Sequence, residues 1–412
     1  MSAQRKKASK SANPFKPGAG HPPPHLAGRE SEVDKFAKIL DQDVIVKNVV
    51  LTGLRGVGKT VLMDGRFKPA GIESGWAWVG SDFSESSFLT EQNLCIRLIT
   101  DLSVYSSSLT VSGPQPTLGF QTSKNKERTL TFDFLLTLFD GQPGLMVDKL
   151  KAVLEFVWRA AERRGIRGIV FAYDEAQVVA DQKGRDQYPL AILLEAFQSL
   201  QKRGVRYLLL LTGLPTLFPR LVESRTYAER MFSVQEIGRL TREDSHEAIT
   251  VPLKGKGWEF SKAGVVAIIK ASDGYPYFIQ FICREALDFL MQNPKSQMIP
   301  LDPIIRKLDS DFFSGRWEIL SDRQRDLLYC IAQLNLEDGE FTIPDIVDAS
   351  AKTKRQVKPF VRGDVSQILP RLIERGLIYK NRYGKYSFAV PLLSRFINRK
   401  YASAQNQGTL FD

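Results

Sequence analysis

The order of apolar segments predicts an α/β protein: a parallel sheet covered on both faces by helices, then a helical unit, then a C-terminal unit of three helices and a hairpin. Three observations predict it. Strand-like runs at 48–52, 76–79, 168–173 and 205–212 alternate with helical spacing, and strands separated by helices pair in parallel with both faces buried. From Thr241 the strand-like runs give way to helical patterns at 243–251, 261–271 and 277–291. Beyond 320 come helical patterns at 323–334, 343–350 and 365–375, then short runs at 377–380 and 385–390 around the turn Asn381-Arg382-Tyr383-Gly384. That turn marks a hairpin; with three helices before it, the unit reads as a winged helix-turn-helix.

Taken in order, residues 1–25 are rich in Lys, Ser, Pro and Gly and end in Pro22-Pro23-Pro24, which predicts a disordered arm. Helical periodicity runs from Arg29 through Val33, Phe36, Ala37 and Leu40. The run 48–52 leads into a glycine-rich segment, 61–67 reads as the helix which that segment opens, and 76–79 as the next strand. Turn-forming residues at 106–108, 113–114 and 123–126 mark 104–143 as an insertion with little regular structure. Helical spacing returns at 145–163 with Leu150, Val153, Leu154, Val157 and Ala160, and 189–201 reads as another helix. The expected divisions are the arm at 1–25, a core at 26–240, a helical lid at 241–315, the winged helix at 316–401 and a tail at 402–412.

The 412 residues are 43% hydrophobic and 25% charged, enough for a large core in about two or three domains. Cys95, Cys283 and Cys330 are far apart and match no metal-ligand spacing. They read as reduced core thiols of a cytoplasmic protein. No apolar run reaches the roughly 18–20 residues of a membrane span, and no apolar stretch follows the basic N-terminus as a secretory signal requires. The net charge is +11. Residues 1–25 carry five basic residues and no acid, and residues 351–401 carry thirteen against Asp364 and Glu374. The basic excess therefore belongs to the two ends, which points to a polyanion or to a solvated cationic surface.

Gly53-Leu54-Arg55-Gly56-Val57-Gly58-Lys59-Thr60 matches G-x-x-x-x-G-K-[ST] in full. Glycines let the backbone wrap a phosphate with its N–H groups inward, and the following helix adds its positive end. Lys59 then serves the β- and γ-phosphates and the Thr60 hydroxyl serves Mg²⁺. Gly53, Gly56, Val57, Gly58, Lys59, Thr60 and Val61 form the expected ATP-contacting set. The run Ile169-Val170-Phe171-Ala172-Tyr173 ends in Asp174 and Glu175. Carboxylates at the C-terminal end of a parallel strand sit where such a loop lies, so Asp174 is expected to hold Mg²⁺ and Glu175 to orient the attacking water. Thr212, at the tip of the next strand in Thr212-Gly213-Leu214-Pro215, either touches the γ-phosphate or caps the strand. Arg230 is either an arginine finger for a neighbouring subunit's γ-phosphate or a surface residue on a helix end.

Together these segments resemble the AAA+ ATPases, especially the branch near the origin-recognition and STAND-type ATPases. His25-Leu26-Ala27-Gly28-Arg29-Glu30-Ser31-Glu32 is similar to the motif that packs on adenine in that branch, which implies a base contact at Gly28 and Arg29. Ser272-Asp273-Gly274-Tyr275-Pro276-Tyr277-Phe278 resembles the lid segment whose proline closes on the nucleotide, which implies a role for Pro276. Asn13-Pro14-Phe15-Lys16-Pro17-Gly18-Ala19-Gly20 looks like the opening of a group of bacterial ATP-binding proteins. Arg284 is the nearby lid cation, without a clear sensor context; this departs from hexameric motors and favours sensing through Pro276, as in STAND proteins. The resemblance implies an ATPase of slow, switch-like turnover built as a P-loop parallel sheet with a helical lid and a winged helix, able to self-associate with ATP bound.

A winged helix places its third helix in the major groove and its wing on the backbone. Lys354, Arg355, Lys358, Arg362 and Arg371 lie on or before that helix, and Arg382 and Lys385 on the wing. They are the expected DNA contacts, with Ser366 and Gln367 facing base edges. Winged helices also bind proteins, so three readings stand: nucleotide-controlled DNA binding, a STAND-like signalling or scaffold ATPase with a protein partner, and a helper ATPase of a mobile element or defence system.

Overall fold

The computed structural model describes residues 12–18, 20–83, 89–113, 126–296, 298–336, 339–353, 357–382 and 384–408. They form two compact units, one of 29–53 and 59–237, the other of the N-terminal segment to Gly28, 54–58 and 238 onward.

The first unit is a parallel five-stranded sheet with helices packed against it. Its strands are β1 (Asn48–Thr52), β2 (Trp76–Val79), β5 (Gly168–Tyr173), β6 (Tyr207–Gly213) and β7 (Phe232–Glu236), in the order β2-β5-β6-β1-β7, every neighbouring pair parallel. β1, β5 and β6 are buried along their whole length, which is why they read as unbroken apolar runs. β7 lies at the sheet edge with only Phe232 and Gln235 buried, and its alternating apolar and polar residues kept it out of the sequence expectation.

The helices of this unit are α1 (Glu30–Leu40), α2 (Lys59–Leu62), α3 (Lys68–Glu73), α4 (Glu91–Ser106), α5 (Phe132–Gly141), α6 (Met146–Glu162), α7 (Pro189–Lys202), α8 (Leu217–Ser224) and α9 (Ala228–Met231). A π-helical stretch, Met63–Phe67, makes α2 and α3 one continuous helical run, longer than the expected 61–67. α6 buries Leu150, Val153, Leu154 and Val157 on one face, the spacing of an amphipathic helix. Tyr207 reaches it, its hydroxyl donating to Leu154 O at 2.7 Å. The one polar residue heading β1, Asn48, is buried but satisfied: its Oδ1 accepts from Leu209 N–H at 2.8 Å and from Gln201 Nε2 at 2.8 Å.

The expected insertion is more regular than its turn-formers suggest. The end of α4 and all of α5 fall inside it, and β3 (Thr110–Gly113) pairs antiparallel with β4 (Lys126–Thr129). Leu109, Leu130, Leu135 and Phe139 join the core. Burial of these apolar side chains outweighs the turn propensity of the segment between them; 114–125 lie outside the described residues.

The second unit carries α10 (Arg242–Thr250), α11 (Lys262–Ser272), α12 (Pro276–Gln292), α13 (Leu301–Leu308), the π-helical stretch Asp309–Ser314, α14 (Gly315–Glu318), α15 (Asp322–Ala332), α16 (Ile343–Lys352) and α17 (Arg362–Glu374). The antiparallel hairpin of β8 (Ile378–Arg382) and β9 (Lys385–Phe388) follows, then α18 (Leu393–Gly408). Thr241 caps α10 and Ser261 caps α11, while Ser321 and Thr342 open α15 and α16 with full capping boxes. α18 runs across the boundary expected between winged helix and tail; Phe396 stacks on Phe313 with centroids 5.0 Å apart.

The expected arm is corrected as well. Phe15 is fully buried, Asn13 donates to Arg284 O at 2.9 Å and to Asp288 Oδ1 at 2.8 Å, and Arg284 donates to Phe15 O at 3.0 Å. A single buried phenylalanine with satisfied backbone partners holds the segment despite its Pro and Gly content. Residues 1–11 lie outside the described residues.

Candidate functional site

The glycine segment between β1 and α2 has the backbone that its sequence demands. Gly56 and Gly58 adopt φ of 80° and 91°, left-handed values that side chains resist. Lys59 is buried, its ammonium donating to Gly53 O at 3.0 Å. Thr60 follows and donates its hydroxyl to Asp174 Oδ2.

Asp174, at the end of β5, is buried and collects three donors. Besides Thr60, the Thr212 hydroxyl and the Glu175 N–H donate to Oδ1, the latter at 2.8 Å. The continuation of β2 supports it from the other side, Asp174 N–H donating to Ser81 O and Phe83 N–H to Asp174 O, each at 3.1 Å. Thr60, Asp174 and Thr212, far apart in the chain, thus form one cluster. Thr212 is fully buried with its hydroxyl turned to Asp174.

The cluster fits Mg²⁺. A hydroxyl beside a carboxylate offers hard oxygen donors, and Mg²⁺ typically keeps several waters and takes one or two carboxylates plus substrate phosphates. Among the described residues no group of three or more His, Cys, Asp or Glu gathers into a metal cage.

Glu175 sits at φ 50°, ψ 35°, a left-handed backbone on a non-glycine residue of the kind that clusters at functional sites. Its Oε2 accepts from Gln177 Nε2. Gln177 Oε1 in turn accepts from Leu214 N–H at 3.1 Å, and its backbone oxygen accepts from the Arg220 guanidinium. Sequence reasoning passed over Gln177 and Arg220; a glutamine two residues after an acid carries no sign of where its amide points.

Arg230 is exposed on the short α9. Gly28 and Arg29 have φ of 65° and 81°. A Cβ on Gly28 would lie 2.9 Å from the Asp244 carboxylate, and the left-handed backbone there favours glycine. Val57 is buried and Val61 is half-buried. Pro276 occupies the first turn of α12, and Tyr277 beside it donates its N–H to Gly56 O at 3.3 Å. Arg284 is engaged with Phe15 O and, at 3.7 Å, with Asp288.

In the C-terminal unit, α17 buries Val365, Leu369 and Leu372 and exposes Arg362, Ser366, Gln367 and Arg371. Lys358 is exposed before it and Lys385 is half-buried on β9. Lys354 and Arg355 lie outside the described residues, as does the side chain of Arg382. No helix among the described residues is long and apolar enough to cross a membrane.

A family model described as "Domain of unknown function (DUF8462)" matches residues 310–397. No curated protein matches the chain by sequence. Among solved structures, the Walker-type ATPase PABY2304 of Pyrococcus abyssi is 18% identical, with 90% of this chain and 96% of that one covered at a TM-score of 0.57. The ORC2 protein of Aeropyrum pernix in its ADP form is 17% identical, covering 94% of this chain and 100% of that one at a TM-score of 0.53. These likenesses and the sheet order define the fold: a P-loop NTPase-type parallel sheet with helices, followed by a helical region that ends in an antiparallel hairpin and a last helix.

Proposed function

We propose that the chain binds ATP with Mg²⁺ in the Gly53–Thr60 loop and hydrolyses it slowly, as a switch. The observation that carries this reading is the cluster of Thr60, Asp174 and Thr212 with Glu175 beside it. In it, loop backbone N–H groups and Lys59 receive the phosphates. Thr60 and Asp174 hold the cation, and Thr212 keeps Asp174 in place. Bound Mg²⁺ supplies positive charge to the β- and γ-phosphate oxygens. Glu175 accepts a proton from the attacking water and orients it, while Gly28, Arg29 and Pro276 serve the base side and Arg230 a neighbouring subunit.

The exposed cationic face of α17 supports DNA as the partner of the C-terminal unit. Arg362 and Arg371 lie on the helix that a winged helix places in the major groove, and among the described residues no acid pairs with Lys358, Arg362, Arg371 or Lys385. ATP then controls how that unit is presented.

The two halves are tested together. Lys59→Ala is expected to lower ATP affinity by at least about 10-fold, since one charge-assisted phosphate contact is worth roughly 1.5–3 kcal/mol, and equal uptake by both proteins in equilibrium binding refutes the site. DNA titrations of wild type and Glu175→Gln, with and without ATP, test the coupling; affinity indifferent to nucleotide refutes it.

One observation favours a second reading, a STAND-like scaffold that retains nucleotide and binds a protein. Within the second unit, Arg55 of the glycine loop reaches the winged-helix region: a Cβ on Gly376 would lie 3.9 Å from its guanidinium. Burial lowers the pKa of Arg316, and the charge of Arg55 lowers it further. Nucleotide retained through purification and salt-independent behaviour with DNA would select that reading.

A further inference from the structure

Gln177 makes three hydrogen bonds that belong to no strand or helix ladder. It lies in the 3₁₀ turn Ala176–Val178, is 8% exposed and bridges two strand ends. Its amide nitrogen donates to Glu175 Oε2, its amide oxygen accepts from Leu214 N–H, and its backbone oxygen accepts from Arg220 on α8. The amide has one workable orientation. Flipping it would turn its oxygen toward a carboxylate oxygen and its NH₂ toward an N–H, losing both bonds. Room for it is built in. A Cβ on Gly213 would lie 2.4 Å from Gln177 Oε1, so the glycine after Thr212 is needed for space.

We propose that Gln177 is a positioning residue for Glu175, tying the direction of its carboxylate to the loop that follows β6. This rests on the reading of Glu175 as the group that orients the attacking water. With Oε2 held by the amide and the backbone fixed at φ 50°, Oε1 is presented to the water in one direction. A displacement of Leu214 releases the amide, and the carboxylate loses its aim. The loop after β6 therefore governs turnover without touching the nucleotide's binding strength.

The test compares kcat for ATP across pH, and ATP affinity from a fluorescent analogue, in wild type, Gln177→Leu, Gln177→Glu, Gly213→Ala and Glu175→Gln. Gln177→Leu is expected to lower kcat on the order of 10- to 100-fold, as small misplacements of a reacting group do, with affinity kept within about 3-fold. Gly213→Ala, whose Cβ displaces the amide and touches Leu217 at 3.0 Å, should give a similar fall. Gln177→Glu removes the amide donor and sets a second carboxylate against that of Glu175, so kcat should fall and its pH profile should differ from wild type. Wild-type kcat and pH profile in both Gln177 variants, with Glu175→Gln inactive, overturn this proposal alone. Full turnover by Glu175→Gln overturns the role of Glu175 and this proposal with it. A fall in kcat matched by an equal fall in affinity also overturns it, since that marks a fold defect.

Discussion

Asp174 has four oxygen lone-pair directions to fill and a buried place in which to fill them. Two hydroxyls and one N–H fill three of them, so both carboxylate oxygens have partners although the group is desolvated. Removing Thr212 would strip one donor while leaving the other two. The cysteines show the opposite use of burial. Burial, helped by the charge of Glu91, pushes the Cys95 thiol up to about 12; burial raises Cys283 well above its ordinary value and raises Cys330 too. A thiol rather than a thiolate is present at neutral pH, and the thiolate is the reactive form. A maleimide should leave all three unlabelled in the native protein and label all three after denaturation; labelling of Cys95 in the native state contradicts the burial.

At the level of elements, α6 and α7 are joined by Glu155, whose carboxylate accepts from Arg159 at 2.7 Å and from Arg203 at 3.0 Å. The Arg159 hydrogen bond is the main cause that holds the Glu155 pKa below the ordinary glutamate value, with Arg203 adding to it. A depressed pKa contributes stability above the unfolded-state value, which is lost as pH falls through the folded one. The pair is partly exposed, so the contribution is under about 1 kcal/mol. Denaturant unfolding should therefore show Glu155→Gln less stable than wild type at pH 7 and equal to it near pH 3; a gap that widens in acid is the wrong sign. Element type was legible wherever the pattern was strong. β1, β5 and β6 are unbroken apolar runs, and α6 and α12 are amphipathic over four turns or more. β7 and the β3–β4 hairpin were missed because an edge strand with alternating polarity and a short pair among turn-formers each resemble loop until a partner strand is supplied.

On the scale of the whole molecule, the uneven charge makes the proposed DNA contact testable by salt. If α17 lies on phosphates, the logarithm of DNA affinity falls linearly with the logarithm of salt, and each phosphate contact removed lowers that slope by about 1. Lys358→Ala and Arg371→Ala should each flatten the salt plot by roughly that amount and weaken all sequences alike, whereas Gln367→Ala should alter preference among sequences. Identical slopes in fluorescence-anisotropy titrations of wild type and the double variant remove DNA from the reading.

The sequence by itself determined the parallel sheet, the glycine loop and the acid pair, because each is written in a contiguous stretch: an apolar run, a spacing of glycines, two carboxylates at a strand end. Only the tertiary structure decided who holds whom. Asn13 finds Arg284 and Asp288 across most of the chain, Thr60 and Thr212 meet on Asp174, and Gln177 spans from Glu175 to Leu214. A side-chain hydrogen bond needs its partner within about 3 Å, and for residues remote in sequence that distance is set by packing.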